Sequence, residues 1–193
     1  MKIGRLVART VIGGLFVGHG TQKLFGWFGG PGLEGTEQMM GALDMRPTRT
    51  NALAAGISET AGGALLVAGA ATPLAASSLI GTMLTAIRKV HKTQGVWAAQ
   101  GGWEYNAVLI AALFALIDTG PGELSVDAAL GRDEWGPGWA LGGLALGAAA
   151  SSAAIAMGGR APTPEDAAPE GPAADAASAD TAGDPTTVKT DEP

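Results

Sequence analysis

Apolar residues in this chain come in long blocks separated by short polar loops. The first block runs from about Ile3 to Gly20 and the second from about Asn51 to Ala71. Thr72-Pro73 then opens a third, which continues to about Val90, because proline suits the first turn of a helix. A fourth begins at Glu104-Tyr105 and reaches Ile117. Between Asn51 and Ile87 the only charged residue is Glu59. A stretch that long exceeds the ~20 residues of a single bilayer crossing and suits a helical hairpin that crosses twice. The pattern predicts an all-α membrane protein, an up-and-down four-helix transmembrane bundle over residues 1–131. A fifth helix is expected within 132–159, where Gly136 to Gly159 is uncharged but mostly Gly, Ala and Ser and so only weakly hydrophobic. Thr36–Leu43 and Glu123–Trp135 read as short interfacial segments.

Composition supports the membrane reading. Charged residues make up 16% of the chain, against about 25% in soluble domains. The net charge of −6 belongs to the tail, where eight acidic residues and one lysine follow Pro164. That Pro/Ala/Asp-rich segment, residues 160–193, cannot bury a core and is expected to be disordered. No basic patch with interleaved aromatics exists, so nucleic acid is not an expected partner. The chain has no cysteine, which excludes thiolate chemistry and cysteine metal sites. Lys2, Arg5 and Arg9 precede no small-residue cleavage site, so the first helix reads as retained, with its arginines snorkelling to headgroups. Gly14 and Gly18 form a small-xxx-small pair suited to close helix approach.

Counting crossings places the candidate chemistry. In an up-and-down bundle the end of the first helix, the start of the second, the end of the third and the start of the fourth share one face. His19, Lys23, His91, Lys92, Glu104 and Tyr105 then gather there, with Glu59 about 12 Å below at 1.5 Å per residue. A carboxylate within a membrane helix costs about 2.5–3.5 kcal/mol on insertion scales, so Glu59 calls for a partner or a function. It reads either as a proton-accepting group or as half of an ion pair with Lys23 or Arg88. His19 and Lys23, four apart, share a helix face and suit an anionic group or a carbonyl oxygen. Trp97, Trp103 and Tyr105 read first as an aromatic belt. No metal-ligand spacing is present.

Several elements in order carry a resemblance. They are His19-Gly-x-Gln22-Lys23-Leu-Phe-Gly26 with Phe28-Gly-Gly-Pro-Gly32, and Glu59-Thr-Ala-Gly-Gly63 with Gly69-x-x-Thr72. His91, Trp103-Glu-Tyr-Asn106 and Gly120-Pro-Gly-x-Leu-Ser-Val-Asp-Ala128 follow. The chain resembles the DoxX family of small four-helix membrane proteins over roughly residues 3–131. The family name comes from a subunit associated with thiosulfate:quinone oxidoreduction, and relatives are linked to a membrane redox complex with a sulfurtransferase and a superoxide dismutase.

The resemblance implies a multi-pass protein of the cell membrane, a subunit in redox or sulfur metabolism with a quinone- or small-anion-accessible polar pocket. Glu59 and His91 are the candidate catalytic residues. His19, Gln22, Lys23, Trp97, Glu104 and Tyr105 are the candidate binding residues. Any enzymatic role would be as a subunit of a quinone-linked oxidoreductase, with quinone as the implied cofactor and none held covalently on the chain. Expected partners are the lipid bilayer, a soluble redox or sulfurtransferase protein, and a second copy of the chain. The alternatives are a small-molecule or proton-coupled transporter with Glu59 as relay, and a structural anchor whose acidic tail recruits a soluble protein.

Overall fold

A computed structural model describes residues 3–159; the tail expected to be disordered lies outside the described residues. Seven α-helices and no strand occur among the described residues: α1 (Ile3–Phe25), α2 (Gly32–Ala42), α3 (Thr48–Ala68), α4 (Thr72–Ala86), α5 (Glu104–Thr119), α6 (Val126–Ala129) and α7 (Gly136–Gly158). α1 runs past the expected Gly20 because Thr21-Gln-Lys-Leu-Phe contains nothing to break a helix. It stops where Gly26 takes a left-handed conformation, φ 72°, which costs glycine little. His19 and Lys23 are therefore helical residues one turn apart. α4 ends in a π-helical turn over Ile87–His91. The expected interfacial stretch Glu123–Trp135 contains only the four-residue α6, capped by the Ser125 hydroxyl, which accepts from Ala128 N at 3.1 Å.

The long helices pack in sequence, α1 on α3, α3 on α4, and α4 on α5, while α7 lies against α4 and α5. Contacts between α1 and α3 move in opposite directions along the two helices, so the pair is antiparallel. A Cβ on Gly13 would stand 2.6 Å from Gly63 O, and one on Gly20 would stand 2.6 Å from Thr60 N. These glycines, not the expected Gly14 and Gly18, bring the backbones together; a side chain on either of the latter would meet open space. α4 and α7 run parallel, with Gly143 beside Ser77, Gly147 beside Ile80 and Ser151 bonded to Thr85 at 2.9 Å. The core between these helices holds Phe16, Leu66, Leu79, Ile80, Leu113 and Ile117.

Gly63→Val is expected to destabilise the fold by about 1–3 kcal/mol through overpacking, because its Cβ would meet Gly13 O at 2.5 Å. Gly14→Val should be near neutral. Parallel denaturation of the two variants in detergent checks the assignment, and equal losses would refute it.

By length and composition only α7 is long and apolar enough to cross a membrane among the described helices. α4 and α5 have 15 and 16 residues, and α1 and α3 carry charges that lower their hydropathy. The weakly hydrophobic fifth helix thus has the strongest span signal, and the first four have less of one than the sequence blocks suggest. The outward surface is nonetheless apolar. Val7, Val11 and Leu15 of α1 form an exposed stripe at helical spacing, continued by Leu74, Val108, Leu141 and Leu146 on other helices.

Candidate functional site

The end of α1, α2, the start of α3, the end of α4 and the start of α5 surround a cavity of about 560 Å³. α2 is tied to α1 by Thr36, fully buried, whose hydroxyl donates to Lys23 O at 3.2 Å and Gly32 O at 2.7 Å. Met39, Met40, Leu43 and Met45 thereby become one wall. The loop after α4 supplies another. Its fold rests on Gly102 N bonding Trp97 O at 3.0 Å and Glu104 N bonding Val96 O at 2.8 Å. Ala98, Gly101 and Gly102 of this loop reach the cavity.

The polar end of the cavity is an ion pair. Lys23 Nζ lies 2.5 Å from Glu59 Oε2, with the glutamate side chain 4% exposed and the lysine 21%. The two expected partners of Glu59 are thereby separated, for Arg88 instead donates to Ser152 Oγ at 2.8 Å on α7. Both histidines line the same cavity, as do Lys89 and Tyr105. His91 Nδ1 lies 2.6 Å from Gly101 O. A carbonyl can only accept, so Nδ1 carries the hydrogen and Nε2 is the nitrogen left for a ligand. Lys23 and Lys89 against the single carboxylate of Glu59 give the cavity a cationic bias suited to an anion or carbonyl oxygen.

Five of the eight expected site residues therefore meet: His19, Lys23, Glu59, His91 and Tyr105. Gln22, Trp97 and Glu104 do not line the cavity. Gln22 underlies the Gly30 turn, where a glycine Cβ would stand 2.4 Å from Gln22 Cβ. Trp97 is 62% exposed. Glu104 accepts from Ala98 N at 3.0 Å and so fixes the loop that forms the wall. Sequence reasoning did not place Asn106, Lys89 or the methionines at the site, reading Lys89 as a headgroup contact and Met39 and Met40 as part of an interfacial helix. Asn106 is buried, with Nδ2 3.4 Å from Met83 Sδ. Its place within the Trp103–Asn106 motif, one residue after Tyr105, was the available signal. Among the described residues no group of three or more His, Asp or Glu comes together to hold a metal.

At the opposite end, the first-turn arginines do not simply snorkel. Arg9 is buried, donating to Val67 O at 2.8 Å and to Leu124 O, while Arg5 donates to Thr119 O. Asp127, also buried, accepts from Ala71 N at 2.7 Å and Thr72 N at 2.9 Å. The Gly120–Ala128 motif thus closes the α3–α4 turn, far along the helices from the cavity.

Fold and site together define an all-α bundle protein with an internal cavity, apolar in its walls and ion-paired at one end. The DoxX family model matches residues 4–92, and the chain carries a DoxX domain over that span. The match includes Lys23, Glu59 and His91, while Trp103–Asn106 and Gly120–Ala128 lie beyond it. No curated protein and no solved structure matches the chain.

Proposed function

We propose that this chain is a multi-pass protein of the cell membrane that serves as the membrane subunit of a redox or sulfur-metabolism complex. Its cavity takes the polar head of a quinone or a small anion and presents it to a soluble partner, a redox protein or sulfurtransferase. The observation that carries this reading is the buried Lys23–Glu59 pair at the polar end of a methionine-walled cavity shared with both histidines. The exposed aliphatic stripes supply the lipid-facing surface, and membrane-associated relatives in the DoxX family agree with it. α4 and α5 span only about 23 Å at 1.5 Å per residue, so the bilayer would thin around them.

In this reading Lys23 donates to a ligand oxygen, His91 Nε2 accepts from a hydroxyl of the reduced head, Tyr105 donates from the cavity mouth, and Glu59 holds Lys23 in place. Gln22, Trp97 and Glu104 position the loops. With no cysteine and no nucleotide motif on the chain, electrons pass between ligand and partner.

The test uses the full chain in nanodiscs. Mass spectrometry of the extracted lipid should find retained quinone, and His91→Ala should weaken quinone binding at least tenfold while leaving the thermal midpoint within a few degrees. No retained quinone, no copurifying partner and unchanged thiosulfate oxidation in a deletion strain would together refute the proposal.

A further inference from the structure

Beside its polar end, the cavity borders a loosely packed seam between α1 and α5. On the water side it is roofed by α2 and by the 95–103 loop, whose backbone is bonded to itself through Gly95, Val96 and Trp97. Between α1 and α5 the packing is sparse, in contrast to α1 on α3. A space of about 10 Å³ lies in that seam, lined by Ile12, Leu15, Phe16, His19, Tyr105 and Leu109. Four of these, Phe16, His19, Tyr105 and Leu109, also line the main cavity. Leu15 and Tyr105, both 48% exposed, stand on the outer lips. The seam therefore lies between the cavity and the aliphatic outer face.

We infer that the ligand reaches the cavity sideways from the membrane interior, through the α1–α5 seam, and that it is a membrane-dissolved amphiphile. Its head places an oxygen at Lys23 and a hydroxyl at His91 Nε2, and its apolar tail lies between Ile12 and Leu15 and runs out into the acyl region. This rests on the reading that the cavity binds a polar head, and it narrows that reading by excluding a tailless, water-borne anion. His19 stands where head and tail meet, at the inner edge of the seam.

Because the chain has no cysteine, Met83→Cys provides one thiol on the cavity wall for a trifluoroethyl label. With the full chain in nanodiscs, a bilayer-dissolved doxyl hydrocarbon should broaden its fluorine signal, and an aqueous gadolinium chelate should not. Leu15→Trp should remove most of the broadening by filling the seam, and Ile12→Ala should increase it. Broadening that ignores both substitutions, or that comes from the aqueous agent instead, overturns the inference. In parallel, Leu15→Trp should weaken binding of a decyl-substituted benzoquinone at least tenfold and leave the tailless benzoquinone unchanged. If both quinones bind and neither responds, lateral access fails and the site reading stands. If neither quinone binds, the site reading fails, and the fluorine measurement still decides the route.

Discussion

Lys23→Met is expected to destabilise the protein by about 3–5 kcal/mol, the cost of stranding a buried charge without its partner. Glu59 is almost fully buried and its nearest cation is Lys23 at 2.5 Å. Removing the ammonium leaves a nearly buried carboxylate without its ion-pair partner. Glu59→Gln should cost less, because Lys23 is more exposed and its flexible stem can carry the charge toward the surface. The double variant should recover most of the stability lost by Lys23→Met, since neither charge is then stranded. Ligand binding should not recover with it. Unfolding of the three variants in detergent, followed by circular dichroism, gives the coupling energy directly. Three equal and small losses would mean that the pair behaves as a screened surface contact. Recovery of both stability and binding in the double variant would reduce the pair to a packing device.

The convergence of this pair with the histidines was legible from the chain because it depends only on counting helices. Once α1, α3, α4 and α5 alternate in direction, His19, Lys23, His91 and Tyr105 must meet near one end, whatever their exact rotation. The choice between Lys23 and Arg88 for Glu59 was not legible. It turns on α7, which packs parallel to α4 and offers Ser151 and Ser152 to Arg88. The small-residue interface was legible in kind and wrong in face. Gly13 and Gly14 are adjacent, and spacing alone cannot say which of them points at α3. Met40, Met45 and Met83 gave no signal as cavity walls, since methionine fills irregular apolar space anywhere in a core. Span length misled in both directions. The third block, expected to reach about Val90, leaves the α-helix at Ala86 and turns π-helical over Ile87–His91, whereas the bland Gly/Ala helix α7 runs unbroken for 23 residues.

Asp127→Ala is expected to cost about 2–3 kcal/mol, from lost capping and from two amides left without acceptors, the Thr72 amide among them buried. The Asp127 carboxylate spans Ala71 N and Thr72 N at the start of α4, and its own amide donates to Gly69 O at 2.9 Å. A negative charge at that helix N-terminus is also favoured by the helix dipole. Arg9→Met should cost a similar amount, because the buried guanidinium bonds Val67 O and Leu124 O and so ties the end of α3 to the 120–127 segment. The two losses should fall short of adding, since both substitutions release the same Gly120–Asp127 segment from the α3–α4 turn. Quinone binding should be unchanged in either variant at temperatures where it stays folded, because cavity and staple sit at opposite ends of the helices. Hydrogen exchange should locate the damage, with faster exchange at Gly69–Thr72 and none added at His19–Lys23. Loss of binding without loss of stability in Asp127→Ala would instead couple the two ends and recast the staple as part of the functional machinery.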